Sequence, residues 1–231
     1  MKKILIKLSG EALSNGGSDY KQETLIDIAN QVKALVEEGT QVALVVGGGN
    51  LFRGKELIEK VAVERPTADY IGMLAIVQNA LVLRDFFESQ NLETRVSSAI
   101  SMRQVCEPYI PKRVERHLEK GRVVILAAGL GQPFFSSDST CVQRALELGF
   151  DMVVMAKNGI DAVYDDDPNK NPEAKKIKEI TASEVLEQNL TFADPAAISL
   201  ARENGLNLKV IGMEDISRLK DENIGTRILA R

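Results

Sequence analysis

The order of apolar runs along this chain predicts an α/β fold, with a mostly parallel sheet covered by helices on both faces. Three observations carry that prediction. Strand-like and helix-like segments alternate from the first residues onward. The strand-like runs KKILIKLS, QVALVV, RVVILAAG, DMVVMAK and LKVIG are nearly continuous in Val, Ile, Leu, Ala and Met, as strands buried on both faces must be. The residues able to do chemistry gather where these runs end, and open parallel sheets bind ligands at their strand ends.

The first strand leads into IKLSGEAL. A helix over about 24–38 follows, because Leu25, Ile28, Ala29, Val32, Leu35 and Val36 share one face and Gly39 closes it. QVALVV is a buried strand that runs into Gly47, Gly48 and Gly49. A long helix is expected over 68–89, a strand in TRVSSAI, and a helix over 112–119 stopped by Gly121. RVVILAAG, 122–129, is the next strand, and a Gly, Pro and Ser loop carries it into a helix over 139–148. DMVVMAK is a strand, and 158–172 is a polar Asn, Asp and Pro stretch. Helices near 183–188 and 195–204, the strand LKVIG and a short edge strand over 226–229 complete the series. No repeat and no clean linker divides the chain, so one domain over 1–231 is expected.

Composition narrows the function. The chain has 231 residues, enough for a sizeable core, and a net charge of −4 from 29 Lys and Arg against 33 Asp and Glu. No global basic field recruits nucleic acid or a membrane surface, so any anion is held by a local site. Apolar runs fall short of the ~18 residues of a membrane span, and the start lacks the length of a signal h-region. Cys106 and Cys141 read as buried thiols of a cytoplasmic protein. His117 is the one histidine and has no Cys or His at ligand spacing, so it reads as a surface or partly packed residue. The chemistry is left to Lys, Arg, Asp and backbone amides.

Four stretches carry it. From Gly49 the chain reads GNLFRGKE, which matches the P-loop pattern until its last position, where Glu56 cannot supply the hydroxyl for Mg²⁺. The glycines nevertheless offer amides and close approach, with Arg53 one helical turn on, so phosphate contact outweighs turn chemistry alone. Lys7 interrupts an apolar strand just before Ser9 and Gly10; a solvent-facing position in an alternating strand explains it as well. In AAGLGQPFFSSDS, Gly129 and Gly131 permit close approach, and Asp138 is either a helix N-cap or a carboxylate aimed at a cation. Phe134 and Phe135 are core, or one lines the pocket of a planar ligand. KNGIDAVYDDDP, 157–168, is an exposed turn or a holder of base and ribose through Tyr164 and a carboxylate such as Asp167.

With KLSGEAL at 7–13, GGGNLFRG at 47–54, Asp69 before GMLA at 72–75, Asn79, GLGQPFFSSD at 129–138 and DAVYDDDP at 161–168, the chain resembles the bacterial-type UMP kinases of the amino acid kinase superfamily. The resemblance spans essentially the whole chain. It implies a single α/β/α sandwich around a mainly parallel sheet, usually assembled as a homohexamer, with the acceptor part over about 1–150 and the ATP part over about 151–231. It implies transfer of the ATP γ-phosphoryl group to UMP, with Mg²⁺ held mainly through nucleotide phosphates. By that resemblance Lys7, Leu8, Ser9, Gly10, Gly49, Arg53, Asn158, Tyr164 and Asp167 bind ATP. Gly48 and Asp69 bind UMP together with the loop Leu130, Gly131, Gln132, Pro133, Phe134, Phe135, Ser136 and Ser137.

Lys7 and Arg53 are the expected transition-state cations, with Asp138 orienting Lys7. Asp194 falls where the family often has an acid near the site, and reads equally as a helix N-cap. Arg84, Arg95 and Arg122 match basic positions of a GTP or UTP effector site, or are surface ion pairs. Gln132 and Ala162 depart from the frequent GTGNPFFTTD and DGVY patterns. The competing readings are a carboxylate or carbamate kinase sharing Lys7 and the glycine turn, and a nucleotide-binding regulator without catalysis.

Overall fold

A computed structural model describes residues 2–14, 18–52, 58, 62–166, 168, 170–171 and 173–231. In chain order its strands are β1 (Lys3–Leu8), β2 (Gln41–Val46), β3 (Thr94–Ser98), β4 (Glu107–Pro108), β5 (Val123–Ala127) and β6 (Met152–Lys157). They continue with β7 (Val163–Tyr164), β8 (Lys176–Ile177), β9 (Glu179–Thr181), β10 (Leu208–Gly212) and β11 (Thr226–Leu229). The helices are α1 (Gln22–Glu37), α2 (Arg65–Ser89), α3 (Pro111–Glu119), α4 (Ser137–Leu148), α5 (Ala182–Glu187) and α6 (Pro195–Glu203).

Among the described residues, nine strands form one sheet in the order β4-β3-β5-β2-β1-β6-β10-β11-β9. Every neighbouring pair is parallel except β10 and β11. The chain fills one side of β1 first and then crosses to β6 on the other, which opens a crevice at the carboxyl ends of the central strands. Because side chains alternate along a strand, β1 serves two cores at once. Ile4, Ile6 and Leu8 pack under α1 and α2, while Leu5 joins Val45, Val153 and Met155 under α3 to α6. Lys7 shares the Leu5 face and lies in register with Val45 and Met155.

Local chemistry sets the helix boundaries. α2 begins earlier than the apolar pattern indicates, with Pro66 in its first turn and Glu64 extended before it. α4 starts at Ser137 because the Ser136 side chain accepts the Ser139 amide, and Gly149 ends it in the left-handed region at φ 64. Asp138 is therefore not the N-cap; it projects from the first turn. In α5, Thr181 and Glu184 form a reciprocal capping box.

The short strands β4, β8 and β9 add to those the sequence predicts, and two further differences concern placement. Thr226–Leu229 is not an edge: β11 is held between β10 and β9. The polar stretch after β6 contains β7, which pairs with β8 as a separate antiparallel ribbon. α2 also proves apolar enough over 18 residues or more, at a mean hydropathy of 1.3, to match a membrane span by length and composition. Its Met73, Val77, Ala80, Leu83 and Phe87 are buried in the core, which accounts for much of that apolar character.

Candidate active site

At the end of β1, the Lys7 ammonium lies 3.2 Å from Asp138 Oδ1, and both side chains are 13% exposed. The sheet places Lys7 on the face that α4 covers, so the residue interrupts an apolar strand without reaching open solvent. The pair meets the distance for an ion pair, but Asp138 Oδ1 is buried without a hydrogen bond aligned to it. Asp138 Oδ2 accepts the Asp194 amide, which fixes the carboxylate and leaves Oδ1 directed to the cation.

The glycine turn after β2 lies beside Ser9 and Gly10. Its glycines are not required by backbone angle, since Gly10, Gly47, Gly48 and Gly49 all lie outside the left-handed region. At Gly10 and Gly48 the requirement is close approach. A Cβ on Gly10 would sit 2.3 Å from the Gly47 carbonyl oxygen, and one on Gly48 would sit 2.9 Å from the Gly72 carbonyl oxygen of α2. The Gly47 amide donates to the Leu8 carbonyl, so it is not a free donor. Buried Asn79 holds the turn from below: it donates to the Gly47 carbonyl at 2.7 Å and accepts from the Tyr20 hydroxyl at 2.7 Å.

The loop after β5 forms the facing wall. Ala128, Gly129, Gly131 and Phe134 all have positive φ, an unusual concentration that includes two residues with side chains. The Phe134 amide donates to Asp69 Oδ2 at 2.8 Å, and Arg65 Nε donates to both Asp69 oxygens. Arg144, buried beneath the loop, donates to the Gly129 carbonyl and stacks 3.7 Å from the Tyr109 ring centroid.

These walls enclose a cavity of 330 Å³. Lys7, Ser9, Gly10 and Gly49 line it from the strand ends; Gly48, Asp69, Leu130, Gln132, Phe135 and Ser137 line it from the turn, α2 and the loop. Other expected residues fall outside. Leu8 points into the core, Gly131, Pro133 and Phe134 are not on the cavity wall, and Ser136 is committed to capping α4 and to Asp194 Oδ2 at 2.6 Å. Phe134 and Phe135 are both well exposed, so neither is core. Arg53 and Asp167 lie outside the described residues.

Asp194 is both a cap and a neighbour of the site. Its side chain accepts the Ala196 amide as the N-cap of α6, and its Oδ2 accepts from Ser136 and Ser139. Burial opposes its charge, but the bonds from Ser136, Ala196 and Ser139 outweigh burial and hold its pKa below the usual carboxylate value. Tyr164 lines a second cavity with Asp165, Leu190, Thr191 and Phe192, and its hydroxyl donates to Asp161. Asn158 is exposed and does not line that cavity.

Residues 2–212 match the amino acid kinase family. The chain is 48% identical over 227 residues to the uridylate kinase of Leifsonia xyli subsp. xyli, covering 98% of this chain and 95% of that protein. It is 52% identical over 215 residues to the uridylate kinase of Tropheryma whipplei, covering 93% and 92%. This chain belongs to the uridylate kinases of the amino acid kinase family. The crystal structure of UMP kinase from Bacillus anthracis has the same fold, with a TM-score of 0.93 at 38% identity over 99% of this chain and 96% of that one.

Two further groups of charged residues lie near the ends of the strands. Lys157, which the sequence reading passed over, ends β6 on the same face as Lys7 and donates to the Phe192 carbonyl. Its signal was the same as that of Lys7: a lysine closing an apolar strand. Arg84 and Arg95 line a cavity beside β3 and β4 with Arg103 and Arg113, whereas Arg122 does not. Arg122 Nε sits 2.8 Å from Glu93 without the alignment of a hydrogen bond, and His117 lies between Glu107 and Arg122. Cys106 and Cys141 are buried free thiols.

Proposed function

We propose that this protein transfers the γ-phosphoryl group of ATP to the 5′-phosphate of UMP, giving UDP and ADP. One observation carries the reading. The buried Lys7–Asp138 pair stands at the meeting point of the glycine turn and the Leu130–Ser137 loop, where a donor phosphate and an acceptor nucleotide can share one cation. Phosphoryl transfer depends on in-line positioning and charge stabilisation more than on a protein base. The acceptor phosphate is already a nucleophile, so a site without histidine suffices.

In this mechanism Ser9, Gly10 and Gly49 receive the donor phosphates and Lys7 follows the γ-phosphoryl group to the acceptor. Asp138 keeps the Lys7 ammonium on the reaction axis, and Arg53 adds the second charge. Gly48, Asp69 and the Leu130–Ser137 loop hold UMP, which requires Asp69 to release the Phe134 amide or accept it alongside the ligand. The acceptor nucleotide occupies the part built by 1–150 and the adenosine the part built by 151–231, beside Tyr164 and Asp167, with Asn158 at the margin.

Among the described residues no trio of carboxylate, Cys or His side chains can enclose a metal. Mg²⁺ fits as a cation held by nucleotide phosphates and water rather than by a cage of protein side chains. When bound it neutralises charge on the phosphate oxygens. Assembly as a homohexamer belongs to the same reading, and the exposed Tyr70 and Leu74 of α2 are available to a subunit contact. The arginine-lined cavity supports a GTP or UTP effector, and the buried free thiols suit a cytoplasmic location.

The test is ADP release by the purified protein with ATP and Mg²⁺, offered UMP, CMP, dUMP or N-acetylglutamate. Release is expected with UMP. Release only with the carboxylate acceptor would make the protein a carboxylate kinase, and release with none would make it a binding protein.

A further inference from the structure

We infer that Lys157 is a further catalytic cation of this site beside Lys7 and Arg53, one that contacts the donor's phosphate chain between the adenosine cavity and Lys7. The inference rests on the kinase reading above, in which the Tyr164 cavity holds the adenosine. Three observations support it.

The first is register. β1 and β6 are adjacent and parallel, Lys7 pairs with Met155, and Lys157 follows two residues later on the same face. Both ammonium groups therefore leave the sheet on the side covered by α4 and α6, at the strand ends where the crevice opens.

The second is compensation. Lys157 is half-buried, and its one hydrogen bond among the described residues is to a neutral acceptor, the Phe192 carbonyl. An ammonium has three donors, so two remain without a partner among the described residues. Among the described residues no carboxylate lies within ion-pair distance of it, because Asp138 is engaged with Lys7 and with the Asp194 amide. Burial, and then the charge of Lys7, press the Lys157 ammonium below the ordinary lysine pKa, while Asp138 opposes that pressure. A half-buried cation under such strain gains most from an anion that arrives with the ligand.

The third is position. The Phe192 carbonyl that receives Lys157 belongs to the segment that also walls the Tyr164 cavity. A donor with its adenosine beside Tyr164 and its γ-phosphate at Lys7 must lay its phosphate chain across this wall. Lys157 can then exchange a neutral carbonyl for charged oxygens, the stronger partner.

A purely structural role, tying the 189–194 segment to the sheet, makes a different prediction. We would measure the affinities of ATP, ADP and adenosine by calorimetry in the full-length protein, and turnover with UMP, for wild type, Lys157→Met and Lys157→Arg. Methionine keeps the unbranched stem without the charge. The inference expects Lys157→Met to weaken ATP binding about tenfold or more, leave adenosine within about twofold, and lower kcat about thirtyfold or more. Lys157→Arg should restore part of the preference for ATP over adenosine. Equal weakening of ATP and adenosine in Lys157→Met, or no change in either, would overturn it. A wild type that prefers ATP to adenosine but releases no ADP with UMP would sink the acceptor assignment alone, while loss of that preference in Lys157→Met would still support Lys157.

Discussion

Positive charge gathers in two regions of this molecule, by opposite means. At the end of β1 and β6, Lys7 and Lys157 are partly or largely withdrawn from water, and among the described residues Asp138 is the one carboxylate in ion contact with either. Beside β3 and β4, Arg84 and Arg95 keep their own partners: Arg84 lies 2.8 Å from Asp85, and Arg95 lies 2.8 Å from Glu88 and 2.9 Å from Glu93. A charge withdrawn from water with too few partners raises the free energy of the empty site and is relieved by a bound anion. An exposed pair contributes little either way, about 0–1 kcal/mol, and must be competed apart before a ligand can use it. The first arrangement suits a reaction centre, and the second suits a weak, exchangeable regulatory contact.

Substitutions can break this comparison, and the largest effect is expected in the crevice. Lys7→Ala should lower kcat by about a thousandfold or more while dissociation constants for ATP and UMP move far less, because its charge is needed most in the transition state. Unchanged turnover would remove Lys7 from the mechanism. Asp138→Asn should cost about ten- to a hundredfold in kcat, since the amide cannot hold the ammonium on axis with the same charge. Steady-state kinetics that showed only a KM change would argue for a binding role instead.

Packing at the glycine turn sharpens the comparison from the stability side. Gly10→Ala brings a methyl into a backbone oxygen, and urea unfolding should record a loss of about 1–3 kcal/mol. Asp194 adds a pH signature. Its pKa is held down in the folded protein, so its share of stability is present above the unfolded value of about 3.9 and is lost as pH falls through the lower folded value. Urea unfolding between neutral and acid pH should therefore show a shallower acid loss for Asp194→Asn than for wild type; equal slopes would mean that its hydrogen bonds do not favour the charged form. The smallest effect belongs to the other region: Arg95→Ala should change stability by no more than about 1 kcal/mol. A loss of turnover there as large as that of Lys7→Ala would erase the distinction between the two clusters.

Much of this was legible in the sequence, and the gaps have physical causes. Runs such as QVALVV and DMVVMAK identify strands buried on both faces, and the ends of those strands located Lys7, Gly48, Gly49 and Asp138. Which residue caps α4 was not legible, because Ser136 and Asp138 are both good acceptors and only the backbone path chooses Ser136. Lys157 was missed because its meaning depends on β6 lying beside β1, a crossover that no local pattern reveals. The same holds for β11, whose short apolar run looks like an edge until β9 pairs with it. Positive φ at Ala128 and Phe134 leaves no trace in residue type, so the shape of the loop after β5 emerged only from the structure.

The most direct test of the account is a single-turnover experiment with excess protein, γ-labelled ATP, Mg²⁺ and UMP. The account predicts that label passes into the β-phosphate of UDP in the wild type and stays in ATP when Lys7 is replaced by alanine. Label found in UDP at the wild-type rate in Lys7→Ala, or recovered from the wild type only as inorganic phosphate, would contradict it.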